Sequence, residues 1–486
     1  MSDPRGHSQP ITFLPSLFVV FLFLCGIVSA TPSITLSKKS GPPTSMILVA
    51  GRGFKPHVGV DIFFDTKDKA LVVTNGKGEF SDARIHAPRS ARPGEHWVTA
   101  LERNNDKGAQ EPFLVQTNWS QFGFDVEGTR LNPYENVLNV KNVGNLGLKW
   151  TYTTKGSVST LPVVQDGIVY VASDQLYALD ARTGKNIWTY RTTLPNTPAV
   201  ADGVVYVGSW EDEKLYALDA KTGSKLWDHS LSGNADCPPT VYDGVVYFGS
   251  DDTMYALRAS NGHLLWSFAT GYFVTSAPAV ANGVVYVGSA DDNLYALDAK
   301  TGNKLWSFMT GGEIFISAPA VANGVVYIGS TDSNVYALNA STGNLLWKYT
   351  TGDGFQASIA VTHGVVYAAS ADSYLYALDA TTGEKLWRYA GGFYSDSPAA
   401  ANGVIYIGSA YYGSVDAINA STGALLWSYT TGADFQYASP VVADGLVYSG
   451  SDDGTIYAFG LLGRAQHKQD VASNPNFNML HPDFND

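Results

Sequence analysis

The chain runs to 486 residues and carries 44 acidic against 31 basic side chains, a formal net charge of −13. That balance excludes nucleic acid as a partner, because phosphates demand clustered Lys and Arg and no basic stripe occurs along the sequence. A hydrophobic share of 45 % with 15 % charged residues is the composition of an ordered globular protein, with room for more than one domain.

Residues 1–30 read as a secretory signal. Arg5 gives a weakly basic start, residues 14–28 are apolar, and Val28-Ser29-Ala30 offers a small-residue cleavage site. The length of the apolar run leaves an uncleaved membrane anchor as the alternative, the one route to a membrane in this sequence. Leu24 is bulkier than a lipoprotein box accepts before Cys25. The protein is expected outside the cell or on its surface. Without that segment Cys237 has no partner for an internal disulfide. It reads as a small buried strand residue.

Between residues 31 and 116 short apolar stretches (46–49, 60–64, 70–73 and 97–101) are separated by turn signals such as Asn75-Gly76 and Arg92-Pro93-Gly94. The pattern predicts a small immunoglobulin-like β-sandwich. Residues 50–56, with Gly51, Gly53, Phe54 and Pro56, resemble the IPT/TIG-type modules of surface proteins, which implies a spacer or adhesion unit. A lead-in segment occupies 117–145.

From Gly167 to Tyr448 a Gly, two aliphatic residues and a Tyr recur eight times. Repeat tryptophans fall at Trp150, Trp188, Trp227, Trp266, Trp306, Trp347, Trp387 and Trp427, spaced by 38 to 41 residues. A period near forty built of short strands and tight turns predicts a β-propeller. Each Gly follows a turn residue, Asp166, Asp202, Asp243, Asn282, Asn323, His363, Asn402 or Asp444. Asn-Gly and Asp-Gly favour the type I′ hairpin, whose central residues both need positive φ. One unit then reads as a strand at 277–281, a return at 284–289, a third strand at 294–299 and a fourth carrying Trp306. Each indole can bury against the next blade, worth a few kcal/mol at roughly 25 cal/mol per Å².

The eighth repeat stops after residue 462 without its Thr-Gly turn and Trp, while an orphan Trp strand stands upstream at 146–154. Joining the two removes two sheet edges. The predicted fold is therefore all-β: an eight-bladed β-propeller at 146–462, closed by an N-terminal strand and preceded by the sandwich. A polar tail, 463–486, follows.

The recurrent docking pattern is clearest in Ala178-Asp180-Thr183-Gly184-Trp188, Ala296-Asp298-Thr301-Gly302-Trp306 and Ala377-Asp379-Thr382-Gly383-Trp387. It resembles the tryptophan-docking motif of the pyrroloquinoline quinone (PQQ) repeat family, the quinoprotein alcohol dehydrogenase-like fold. Trp119, Phe122, Asp125, Thr129 and Asn132-Pro133-Tyr134 are similar to that family's approach segment. The resemblance implies the fold but not the cofactor, since the family holds both dehydrogenases and scaffolds similar to the lipoprotein of the outer-membrane barrel-assembly machine. A dehydrogenase of this kind implies PQQ, a Ca²⁺ held by carboxylate and amide oxygens, a catalytic Asp, and in the large alcohol dehydrogenases a pair of adjacent cysteines. This chain has no Cys-Cys pair and no long insertions between repeats.

Ligands of propellers usually sit over the central channel. The loops expected there carry Trp210, Phe273, Phe315, Phe355, Tyr394, Asp396, Phe435 and Tyr437, with acids in the turns at Asp251, Asp252, Asp291, Asp292 and Asp332. An aromatic, acidic face suits sugars or a cation; the alternative is that the aromatics cap blades and the acids make turns. Asp416 stands alone where seven other repeats carry Tyr. No catalytic, cofactor or metal constellation emerges. The leading reading is a binding or scaffold module for a protein or glycan partner. The alternatives are a PQQ-dependent dehydrogenase of alcohols or sugars and an envelope-assembly accessory protein.

Overall fold

The computed structural model describes residues 31–103, 107–235, 237–431, 433 and 439–462. The expected signal segment and polar tail lie outside the described residues, as do Phe435 and Tyr437. No described helix is long and apolar enough to cross a membrane.

The N-terminal part is two sheets over one core. Ser33–Leu36, Met46–Arg52 and Phe80–His86 form one sheet. Ser40–Gly41, Gly108–Val115, Gly94–Glu102, Gly59–Phe64 and Lys67–Val73 form the other, in that order. Alternation decides which side chains go inside: Val60, Ile62 and Phe64 are fully buried while their neighbours are not. Ile47, Val49, Val98 and Phe113 complete the core.

The rest is a ring of sheets, eight among the described residues. Blades 1 to 7 span residues 163–190, 199–230, 240–269, 279–309, 320–350, 360–390 and 399–430, four antiparallel strands each, with Leu131–Asn132 added in parallel to the inner strand of blade 7. Blade 8 takes its inner three strands from Val441–Ala443, Leu446–Ser449 and Thr455–Leu461 and its outer strand from Leu146–Thr153. Trp150 lies opposite Ala458. The eight hairpins between first and second strands adopt the expected geometry, for example Asn323 at φ 51° followed by Gly324 at φ 78°. Their turns and the Thr-Gly turns mark one face of the ring, the hairpin face. The turns between second and third strands and the inter-blade loops mark the other, the loop face.

Neighbouring blades are stitched by a repeated double hydrogen bond. In blade 5 the Trp347 indole N–H and the Tyr327 hydroxyl both donate to the Ala380 carbonyl of blade 6, at 3.0 and 3.1 Å. The same pair recurs from blade 1 (Trp188 and Tyr170 to Ala220) to blade 6 (Trp387 and Tyr367 to Ala420). Blade 8 closes on blade 1 in the same way, with Trp150 and Tyr448 donating to Ala181 at 3.0 and 3.1 Å. Blade 7 is the exception. Trp427 donates to the Leu146 carbonyl at 3.0 Å, and the Tyr406 hydroxyl, fully buried, has no partner. Blade 8 ends without a Thr-Gly turn, so the alanine carbonyl that would take this hydroxyl does not exist.

The Gly of each Thr-Gly turn, and Gly262 of the matching Asn261-Gly262 turn, is fixed twice over. At Gly343 φ is 71°, and a Cβ there would lie 2.7 Å from the Trp306 ring. Only glycine fits both the turn and the indole beneath it.

Candidate functional site

The axis of the ring is where a ligand site was expected, and it is filled from within the chain. The innermost strand of each blade turns an unpaired edge toward the axis. Residues 119–132 run past these edges and pair with every blade in turn. Trp119 exchanges two backbone bonds with Val164 of blade 1, both 2.8 Å. Val200 donates to Ser120 (2.7 Å), Val280 to Val126 (2.6 Å), Val321 to Glu127 (2.8 Å), Val361 to Thr129 (3.0 Å) and Ala400 to Arg130 (2.9 Å). Blade 3 is met by the Gln121 side chain, which accepts from Val241 at 3.2 Å, and blade 8 by Asn132, which donates to Val442 at 2.8 Å.

The side chains of this segment close the channel. Trp119 and Arg130 are fully buried and Phe122 nearly so. Trp119 and Phe122 belong to the same cluster as Leu161, Ala277 and Ala318, which stand at the mouths of the innermost strands. Arg130 donates through Nε to Pro398 (2.7 Å), through Nη1 to Phe122 (3.0 Å) and through Nη2 to Ser397 (3.3 Å), all backbone carbonyls. Its guanidinium lies 5.7 and 5.3 Å from the Trp119 and Phe122 ring centres. Burial lowers its pKa to about 9, so it remains a cation at neutral pH. Asp125, also in the segment, is pushed up to about 6 by burial, with Glu127 adding to the shift and Thr129 hydrogen bonds opposing it.

The loop-face acids are held by their own blades. Tyr295 donates to Asp291 at 2.6 Å, Tyr376 to Asp372 at 2.7 Å, Tyr177 to Asp174 and Tyr457 to Asp453 at 2.8 Å, and Tyr216 to Asp212 at 3.1 Å. Tyr336 does the same to Asp332. A loop amide adds to several of these, Gly271 to Asp291 at 2.6 Å and Gly311 to Asp332 at 2.7 Å. Burial opposes ionisation of Asp332, but the bonds from Tyr336, Gly311 and Asn334 outweigh it and hold the carboxyl below its ordinary range. These are turn locks.

The aromatics divide. Trp210, Phe273 and Tyr394 are exposed on the loop face (45, 38 and 37 %), and Phe315 is half-buried. Phe273 packs on Tyr272 with ring centres 4.4 Å apart, and Tyr394 accepts from Gln356 at 3.3 Å. Phe355 departs from the expected ligand face. It is fully buried over Gly329, where a Cβ would meet its ring-bearing carbon at 2.6 Å, and it plugs the end of blade 5. Asp396 is likewise withdrawn from the face and fully buried. No side chain among the described residues pairs with the Asp396 carboxylate, and burial, with Asp452 nearby, pushes its pKa well up against a weaker pull from the Ala410 amide. Asp416 is buried inside blade 7, where it accepts from Ser428 (2.6 Å), Ser414 (3.1 Å) and Tyr389 (3.2 Å). Cys237 is buried as expected but lies in a loop, its thiol 3.0 Å from the Ser276 carbonyl.

These residues do not fit a Ca²⁺-bound quinone. The positions flanking the axis are Leu161, Thr197, Pro238, Ala277, Ala318, Ser358, Ser397 and Ser439, neutral and buried. The described residues contain no group of three or more His, Cys, Asp or Glu that could hold a metal ion. A hard divalent cation needs six or more oxygens, several of them charged. A buried arginine occupies the axis instead.

Sequence reasoning placed the tryptophans but passed over the repeat tyrosines and the sealing role of residues 119–132. The tyrosine signal was present, since it ends the Gly-aliphatic-aliphatic-Tyr unit. The paths of the lead-in backbone are not periodic and leave no such trace.

A family model described as outer membrane protein assembly factor BamB matches residues 140–238, 211–317, 309–395 and 390–482. The 1-butanol dehydrogenase (cytochrome c) of Thauera butanivorans is 37 % identical over 87 residues, 17 % of this chain and 12 % of that protein. The quinohemoprotein alcohol dehydrogenase of Comamonas testosteroni is 35 % identical over 103 residues, 20 % of this chain and 14 % of the relative. The matches thus span only a small fraction of those enzymes' length. The crystal structure of the Comamonas enzyme superposes with a TM-score of 0.62 at 18 % identity, covering 72 % of this chain and 81 % of the other. BamB from Moraxella catarrhalis superposes at 0.56 with 22 % identity, covering 65 % of this chain and 97 % of the other. At such identities the structures speak for the fold alone. With four overlapping matches running from residue 140 to 482, the chain belongs to the PQQ-repeat β-propeller family described as outer membrane protein assembly factor BamB.

Proposed function

We propose that this protein is an exported binding scaffold whose partners are proteins engaged at the rim of the propeller rather than small molecules held over its axis. The observation that carries this reading is the channel filled by Trp119, Phe122 and Arg130. A second feature supports it. The outer strand of each of blades 1 to 7 carries a β-bulge just before its Trp. In six of these blades the bulged residue is aliphatic and about half exposed: Ile187, Leu226, Leu265, Leu305, Leu346 and Leu386. Bulges protect edge strands from casual pairing, and exposed aliphatics beside them offer contact points. In this reading residues 31–116 are an immunoglobulin-like spacer, and residues 1–30 direct export, in keeping with the outer-membrane description of the family. A glycan partner gains no support from the family match, whose description concerns outer-membrane protein assembly. The dehydrogenase alternative rests on matches of 12 and 14 % of the enzymes' length.

The test is site-specific photo-crosslinking in the native envelope, with the crosslinker at Leu226 or Leu305 on the rim and at Trp210 or Tyr394 on the loop face. Protein adducts at the rim positions are expected. Adducts confined to the loop face would sink the reading.

A further inference from the structure

The last strand of the sandwich, Gly108–Val115, runs into residues 116–118, which lie across the junction between blades 8 and 1. Gln116 donates through Nε2 to Asp166 in the inner hairpin of blade 1. Asn118 pairs twice with the same residue, accepting from the Asp166 amide at 3.1 Å and donating to its carboxylate at 3.4 Å. Between them Thr117 pairs twice with Asp444 in the inner hairpin of blade 8. Its amide donates to the carboxylate at 2.5 Å, and its hydroxyl accepts from the Asp444 amide at 2.7 Å. Gln116 and Thr117 are buried. On the sandwich side the Gln116 amide donates to the Gly41 carbonyl at 3.2 Å. Asn136 makes a second fastening, donating to the Arg89 and Ala91 carbonyls at 3.0 and 2.7 Å.

The linker therefore joins the two ends of the chain that must meet to close the ring. Turn chemistry alone does not require this. Asp166 and Asp444 are there for the positive φ of the hairpin, 52° in both, and Asp202 and Asp243 make the same turn in blades 2 and 3 with no bond from the linker. At the junction the same residue is used a second time.

Charge makes that second use sensitive to protons. Glu135 of the lead-in and Asp166 of blade 1 face Asp444, the linker side chains are neutral, and the nearby Tyr448 hydroxyl is neutral too. No ion pair among the described residues reaches any of the three carboxylates. Burial pushes Asp444 up to about 6, with Glu135 and Asp166 adding to the shift and the Thr117 bonds opposing it. Burial raises Glu135 as well, against the amides of Leu138, Val137 and Gly445. The fastened arrangement thus binds the proton more tightly than a released one. Its advantage is full below the ordinary carboxylate value and is lost as the pH rises through about 6.

We propose that residues 116–118 are a clasp that couples the orientation of the sandwich to closure of the ring, tightened by acid and eased toward neutral pH. The sandwich is then a fixed arm when the clasp is shut and a loose one when it opens. The inference concerns the join between the two parts and holds whatever the rim binds.

Spin labels introduced as unnatural amino acids at Lys77 in the sandwich and Lys300 in blade 4, both exposed, report the distance between the parts in the full chain on either side of pH 6. Hydrogen exchange of residues 146–153 reports closure. The native chain is expected to give a narrow distribution below pH 6 that broadens above it. Asp444→Gly keeps the left-handed turn but removes the acceptor. It should broaden the distribution at every pH and speed exchange of residues 146–153 about tenfold or more. Asp243→Gly, the same change two blades from the junction, should do neither. Asp444→Asn keeps an acceptor for the Thr117 amide without the charge and should broaden less with pH than the native chain. Thermal melts check that each variant is folded. An Asp444→Gly chain with native distances or native exchange overturns the proposal, since the clasp joins the two. So does a native distribution indifferent to pH, an Asp444→Asn chain that titrates like the native one, or an equal effect of Asp243→Gly.

Discussion

The indole N–H of Trp427 meets the carbonyl of Leu146 at 3.0 Å across 281 positions of sequence. It is the point at which the first strand of the ring replaces the turn that its last blade lacks. The replacement is incomplete, because the alanine carbonyl elsewhere receives two donors and here only the indole is served. The Tyr406 hydroxyl is the unserved one.

Removing that hydroxyl therefore removes a cost. Tyr406→Phe is expected to leave stability unchanged or raise it by about 1 kcal/mol, since an unpaired buried hydroxyl carries a desolvation penalty. Tyr327→Phe, which breaks the bond to Ala380, is expected to lower stability by about 1 kcal/mol. Denaturant melts of the two variants give the comparison.

A pair of glycine substitutions separates turn strain from packing. Gly283 has φ 78° and nothing within 4 Å of a built Cβ, so Gly283→Ala meets only the left-handed backbone, about 1–2 kcal/mol. Gly343→Ala adds a collision at 2.7 Å with the Trp306 ring, so its loss should exceed that of Gly283→Ala by about 1–3 kcal/mol. Equal losses would remove the indole from the account.

Much of this was legible in the sequence. The forty-residue period, the Asn-Gly hairpins and the orphan strand at Trp150 are local chemistry repeated, and repetition makes them readable. Phe355 was misplaced because an aromatic in an inter-blade loop can point outward, as Tyr394 does, or plug the blade end. The choice depends on a glycine in the neighbouring strand, Gly329 in this case. Asp396 lies in the loop before blade 7 and Asp416 within that blade; the second carboxylate is ringed by hydroxyls and the first by none, a difference that spacing does not encode. The sealing of the axis by residues 119–132 depends on contacts with all eight blades, none of them adjacent in sequence.

Arg130 holds that seal. Arg130→Ala leaves three carbonyls without donors and opens a cavity between Trp119 and Phe122, an expected loss of about 3–5 kcal/mol. Limited proteolysis should then cut within residues 119–132, which burial is expected to protect in the native chain. Stability lost without new cleavage there would place the role of Arg130 elsewhere.

Asp125 gives the same segment a pH dependence. Its pKa in the folded chain, about 6, lies above the ordinary carboxylate value, so the folded state binds the proton more tightly than the unfolded one. Its contribution is most favourable below the ordinary value and is lost as the pH rises through about 6. Melting temperatures of the native chain and Asp125→Asn should converge toward the acid end of that window, where both side chains are neutral, and diverge toward its alkaline end, the native chain losing ground to the variant as the pH rises. A difference independent of pH would show that Asp125 is ionised throughout.

The closed axis is tested most directly by titrating the purified chain with PQQ, with and without Ca²⁺, and following tryptophan fluorescence. The filled channel predicts no saturable quenching under either condition. Saturable quenching that requires Ca²⁺ would contradict it and return the dehydrogenase reading to first place.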